Sequence, residues 1–148
     1  MSIDKLKLHG AMELVLLRKD GSVETRRKDN LIVDVGFDLV CDALGNAKGR
    51  PGVLSHIAVG TGTDPVASNQ KALSTELARL AATYAHSAGT KVFTMTSTFN
   101  AGTATGAITE AGVFNAASNG IMFDRVLFNV INKGSDDTLT VTFTFTLS

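Results

Sequence analysis

Cysteine is nearly missing from this chain: Cys41 is the single one in 148 residues. One thiol excludes an internal disulfide framework and a thiolate metal cluster. With Phe37, Leu39, Val40 and Leu44 around it, Cys41 is expected as a small buried hydrophobe rather than a reactive group. Long apolar runs are missing too. No stretch approaches the roughly 18 residues that a membrane-crossing helix needs. The opening Met1-Ser-Ile-Asp-Lys5 lacks the charged-then-apolar form of a secretory signal. The expectation is folding in a reducing cytosol, with no membrane contact. Charge is scarce and balanced: charged residues make up 19% of the chain, against roughly 25% in soluble domains. The 14 basic residues cancel the 14 acidic ones. A free nucleic-acid binder carries a basic excess, because phosphate neutralisation supplies most of its affinity, so direct nucleic-acid binding is not expected. A disordered chain would be less hydrophobic than 44%. Zero net charge gives little colloidal protection and suits a chain that associates.

What is present is alternation. Met12, Leu14 and Leu16 alternate with Glu13, Val15 and Leu17, and after Asp20-Gly21 the residues Val23 and Thr25 alternate with Glu24 and Arg26. Asp-Gly between such runs predicts a two-residue type I′ hairpin. Asp34 is placed to cap a short helix carrying Phe37, Val40 and Leu44 on one face, with Gly45 at its C′ position. Residues 45–52 read as a loop, and residues 53–59 as a buried strand. Leu73, Leu77 and Leu80 have helical spacing, so residues 70–80 read either as a second short helix or as a loop entering a strand near Arg79. From residue 91 onward the chain reads as strands. Phe93, Met95, Ser97 and Phe99 share one face of residues 91–100; Leu139, Val141, Phe143, Phe145 and Leu147 share one face of residues 138–147, with threonines opposite. Threonine stabilises a strand while keeping one face wet, which belongs to antiparallel sheets. The expected fold is mainly β: one domain over residues 1–148, an antiparallel β-sandwich of jelly-roll type with one or two short helices. Residues 1–28 are expected as an N-terminal hairpin arm, dispensable for folding.

Candidate chemistry is thin. His9, His56 and His86 have no second histidine or cysteine at metal-ligand spacing. Ser55, His56 and Asp64 spell a triad, but adjacent strand residues point to opposite faces, so Ser55 is not expected to reach His56. Gly60-Thr-Gly62 lacks the third glycine and the lysine of a phosphate loop, and reads as a turn. Asp136-Asp137 reads as turn acceptors before the last strand. No cofactor or metal is expected. Glu110 and Arg125 stand among apolar neighbours in residues 108–114 and 122–128. An unpaired buried charge costs several kcal/mol, so an ion pair between them is expected, within one subunit or across a subunit boundary. The basic cluster Arg18, Lys19, Arg26, Arg27 and Lys28 reads as a solvated face or a contact for an acidic protein surface.

Several series together resemble a known family. They are Ile57-Ala-Val-Gly60-Thr-Gly-Thr-Asp-Pro65, Leu73-Ser-Thr-Glu76-Leu-Ala-Arg79, Ile108-Thr-Glu110-Ala-Gly112-Val-Phe-Asn115, Gly120-Ile-Met122-Phe-Asp-Arg125-Val-Leu-Phe128, and Lys133-Gly through Asp137-Thr-Leu-Thr-Val-Thr. This set, over roughly residues 30–148, resembles small virion structural proteins of tailed bacteriophages. The resemblance implies a β-rich, non-enzymatic component repeated many times in a phage particle. It fits a capsid cement or decoration protein, or else a tail-fibre, collar or tail-accessory protein that attaches to the tail or recognises a host-surface ligand. Partners would be a second or third copy of the chain and the major capsid protein, or alternatively tail or neck proteins, in the virion and before assembly in the host cytoplasm. Edge strands are natural joints between subunits, so Leu14, Leu16, Arg18, Arg26, Arg27 and Lys28 are the expected subunit or capsid interface.

Overall fold

The computed structural model describes residues 5–148; the reading of Met1–Asp4 as lacking a signal, and the first residues of the expected arm, lie outside it. The strands are β1 (Leu8–Leu17), β2 (Val23–Asp29), β3 (Leu31–Ile32), β4 (His56–Gly60), β5 (Glu76–Ala81), β6 (Thr83–His86), β7 (Val92–Phe99), β8 (Gly106–Phe114), β9 (Asp124–Lys133) and β10 (Thr138–Leu147), and the helix α1 (Asp34–Gly45) lies between β3 and β4. They form two five-stranded sheets, ordered β2-β1-β10-β7-β6 and β3-β9-β8-β4-β5. Every strand pairing is antiparallel. The fold is a β-sandwich. Each alternating strand turns its apolar set inward: Met12, Leu14 and Leu16 from β1 and Leu139, Val141, Phe143 and Phe145 from β10 meet Ile57, Val113, Val126 and Phe128 of the other sheet. Each such side chain removed from water contributes about 1.5–3 kcal/mol.

At both flanks of the sandwich the chain passes from one sheet to the other at a bend. The chain leaves β2 in the first sheet, turns at Asn30, and enters β3 in the second; Asn30 N–H donates to the Gly10 carbonyl at 3.0 Å. It leaves β5 in the second sheet, turns at Ala82, and enters β6 in the first; Ala82 N–H donates to the Ser55 carbonyl at 2.8 Å.

The strand expected over residues 53–59 begins only at His56, with Val53 80% exposed, and five further sequence-based expectations change. First, the N-terminal hairpin is not an arm. β1 lies between β2 and β10 and pairs with β10 from Leu8 to Leu17, so its apolar face is half of the core wall. Second, the turn is three residues long: Gly21 N–H donates to the Arg18 carbonyl and Arg18 N–H to the Ser22 carbonyl, both at 2.9 Å, with Gly21 at φ +89°. That is a type I turn closed by a left-handed glycine, not type I′. Third, α1 buries Gly36 and Leu39, while Phe37 and Leu44 of the expected inner face are exposed. Gly36 sets this rotation, because a Cβ there would fall 2.2 Å from the Phe123 carbonyl oxygen. Asp34 is the first helical residue rather than the cap, which is Val33, and Asn46 takes the C-cap position. Fourth, Cys41 is exposed on the outer side of α1. Fifth, residues 61–75 are a loop, so the strand alternative near Arg79 holds and no second helix forms.

A chain lacking residues 1–28 is therefore expected not to fold, losing the cooperative thermal transition of the full chain. Leu14→Ala alone is expected to cost about 2–5 kcal/mol in urea unfolding, because it empties a fully buried site between the sheets. A truncated chain that still melts cooperatively would refute this account.

Candidate functional site

The outer face of the second sheet is covered by the 61–75 loop, and under it lie Glu110 of β8 and Arg125 of β9, both with fully buried side chains. Arg125 Nε donates to Glu110 Oε1 at 3.0 Å. The same oxygen accepts from Ser74 N–H at 2.8 Å, and Oε2 accepts from Gly62 N–H and Thr75 N–H, both at 2.8 Å. The guanidinium goes on to the Asp64 carbonyl at 2.9 Å, Gln70 Oε1 at 3.2 Å and Ser74 Oγ at 3.2 Å. The carboxylate thus accepts four hydrogen bonds and Arg125 donates four. With the carboxylate fully paired and four of the five guanidinium N–H groups bonded, the several kcal/mol of desolvation each ion incurs is offset. The pair lies within one subunit. Gly62 is glycine for a steric reason: a Cβ there would lie 2.4 Å from Glu110 Oε2 and 2.3 Å from Ser74 Cβ.

This network gathers the scattered sequence series into one place. Gly62 and Asp64, Ser74 and Thr75, Glu110, and Arg125 come from four of them. Next to it, Arg79 of β5 holds Glu76 at 2.6 Å, donates to the Ala116 and Asn119 carbonyls at 3.0 and 2.8 Å, and lies 3.7 Å over the Phe114 ring. These residues fix the loops on the sheet; they position backbone rather than a ligand.

Four of the six expected interface residues are engaged within the subunit, while Arg27 and Lys28 remain on its surface. Leu14 and Leu16 are wholly inside the core. Arg26 donates to the Asn129 and Val130 carbonyls at 3.1 and 2.9 Å, and Arg18 to the Asn132 carbonyl at 3.2 Å. Because β3 pairs with β9 only at Asp124 and Arg125, these guanidinium groups occupy the edge of β9 where β3 stops. Glu24 pairs with Arg18 at 2.6 Å and Arg26 at 2.8 Å, and Asp137 with Arg18 at 3.4 Å. Arg18, then Arg26, hold the Glu24 carboxyl below its usual range. Arg27 pairs with Glu13, and Lys28 is exposed. The basic cluster is mostly neutralised, and its two best-placed members tie the sheets together.

A surface that sequence reading did not single out lies beside α1. There Leu39, Ala43, Val53, Leu54, Tyr84 and Phe93 line an apolar groove of 420 Å³. Val53 is 80% exposed, Leu44 74% and Tyr84 60%, whereas large side chains of this kind are usually covered. β6 borders the groove as the edge of the first sheet. The only sequence signal was the lack of Asp, Glu, Lys and Arg between Arg79 and Lys91; nothing in it marked an edge. The outer face of the same sheet is threonine-covered, with Thr96 and Thr142 hydroxyls 3.3 Å apart and Thr98 and Thr140 hydroxyls 3.4 Å apart across β7 and β10.

Other candidates resolve differently. Ser55, just before β4, has its Oγ 2.8 Å from His56 Nδ1, contrary to the opposite-face argument. Asp64 is not part of that contact; its carbonyl serves Arg125. Asp137 takes the turn role, accepting from Gly134 N–H at 2.7 Å. Among the described residues no cluster of His, Cys, Asp and Glu is placed to hold a metal ion, and no helix is long and apolar enough to cross a membrane. Asp124 is fully buried on β9; Oδ1 accepts from Val113 N–H at 2.9 Å, and Oδ2 has no hydrogen-bond partner among the described residues. Burial pushes its carboxyl well above the usual range, against the smaller opposing effect of the Val113 bond.

Glu110→Gln or Arg125→Met is expected to cost about 3–5 kcal/mol, since each leaves the other charge buried and unpaired. Proteolysis should then move to the 61–75 loop; cleavage elsewhere, or unchanged stability, would contradict the role given to the pair. For Asp124 the folded pKa is raised, so the native state keeps a proton that the unfolded chain loses near pH 4. Its stabilising contribution is full below about pH 4 and is lost as pH rises towards the folded value. Asp124→Asn is expected to remove that fall, seen as a smaller change in Tm than the parent shows between about pH 4 and about pH 8. Comparison with protein-family models, with curated proteins and with solved structures gives no match.

Proposed function

We propose that the chain is a non-enzymatic structural protein of a tailed-bacteriophage virion, serving as a cement or decoration protein on the capsid shell. The observation that carries this reading is the exposed apolar groove beside α1, with Val53, Leu44 and Tyr84 open to solvent next to an uncharged sheet edge. Such a patch suits burial against protein rather than free circulation. The rest of the molecule supports the role by being tied together through long-range hydrogen bonds and ion pairs. At both flanks a strand passes from one sheet to the other, and the long loop is held by a buried ion pair. The residue series that resemble virion proteins supply that network, so the resemblance and the packing bear on the same residues.

A lattice subunit needs only modest contacts, because many copies sum them over a closed shell. The chemistry asked of it is shape and surface, with no bond made or broken. The test is the copy number in purified particles, from band intensities against the major capsid protein. A number in the range of the shell subunits is expected. A number set by the rotational symmetry of the tail would move the protein to the tail or neck, and absence from particles would overturn the virion reading.

A further inference from the structure

We infer that β6 is a self-association edge: two copies of this chain join by laying their β6 strands antiparallel about a twofold axis, extending the first sheet from one subunit into the next. The inference deepens the reading as an assembly subunit and rests on it for why such an edge is left open.

The argument starts from the four sheet edges. β2 carries Glu24, Arg26, Arg27, Lys28 and Asp29, and charged edge residues are a common defence against strand addition. β3 is two residues long. β5 carries Glu76 and Arg79, engaged with each other. β6 is Thr83-Tyr84-Ala85-His86, exposed at every position, and pairs only with β7. It has no Asp, Glu, Lys or Arg and is twice as long as β3. An open edge offers a row of main-chain donors and acceptors, and the group that satisfies such a row is another strand.

Charge and shape point to a second copy as that strand. Between Arg79 and Lys91 there is no Asp, Glu, Lys or Arg, so two β6 strands meet no like charges in any antiparallel register. A charged foreign strand would bring ions to an edge that has no counter-ion for them. The strand adjoins the apolar groove through Tyr84, whose ring lies 5.8 Å from Phe93. Pairing by the edge therefore also brings exposed Tyr84 and Val53 of each copy towards apolar surface of the other. Backbone hydrogen bonds and apolar burial, the two components of a strand-addition interface, are contiguous here. A twofold arrangement uses the same patch on both copies and closes on itself, so the edge is consumed rather than propagated.

The test is the mass of the purified full-length chain by analytical ultracentrifugation over a concentration series, beside the variant Thr83→Lys/Ala85→Lys. Both substituted residues are exposed, and circular dichroism checks that the variant folds. The parent is expected to reach twice its 15.5 kDa, the variant to stay at the single mass, and the 83–86 amides of the parent to exchange more slowly with deuterium as concentration rises. The exchange measurement uses the parent alone and decides the question even where the variant fails to fold. A parent that stays monomeric, forms a trimer, or dimerises without protecting residues 83–86 overturns the inference, as does a variant dimer of undiminished strength. If that happens while particles still carry the protein, the virion reading stands without it; a dimer lost in the variant from a protein absent from particles leaves β6 pairing standing and removes the virion reading.

Discussion

Glu110 and Arg125 hold the second sheet and its covering loop as one piece. Neither residue is reachable by water, so each charge depends on the other and on the loop groups that bond to both. The dependence runs both ways. Without the pair, the N–H groups of Gly62, Ser74 and Thr75 lose their acceptor, and the loop has no other polar anchor of comparable strength. Without the loop, two ions face solvent over the apolar patch of Val33, Ala58, Phe114 and Met122 that the loop's Leu73 covers. Burying an ion pair is a poor way to gain stability, since apolar residues of the same volume often do as well. What it supplies here is a defined path for a loop that has no regular hydrogen bonding of its own.

That constraint explains why some of the structure was legible in the sequence. Glu110 and Arg125 stood out because charges among apolar neighbours have few ways to be satisfied, and pairing is the commonest. β10 was legible because its period of two is unbroken from Thr138 to Leu147 and each inward residue is large. β1 was equally clear as a strand, yet its place in the sheet was not. Whether a hairpin is an arm or a wall depends on its pairing with β10, which is more than a hundred residues distant. The role of Arg18 and Arg26 was hidden for the same reason: the carbonyls they meet belong to residues 129–132.

The misread helix shows a different limit. Phe37, Val40 and Leu44 make a plausible apolar stripe, and hydrophobicity alone favours it. The face that is buried was chosen by the smallest residue in the helix, because only Gly36 lets the backbone of α1 approach the Phe123 carbonyl. Phe37 and Leu44 lost that competition and are now on the surface, while Val40 is half-buried against the core. The local preference for burial was overridden by closeness of approach, and an exposed apolar surface is the residue of that conflict.

The threonine-covered face of the first sheet has a consequence of its own, in side-chain entropy. A lysine or glutamate held still by a contact forfeits about 1.5–2 kcal/mol of rotamer freedom. Threonine is branched at Cβ and has few rotamers to lose, and here Thr96, Thr98, Thr140 and Thr142 already steady one another through their hydroxyls. This face has undergone much of its ordering on folding, so whatever rests against it meets a surface with little left to freeze.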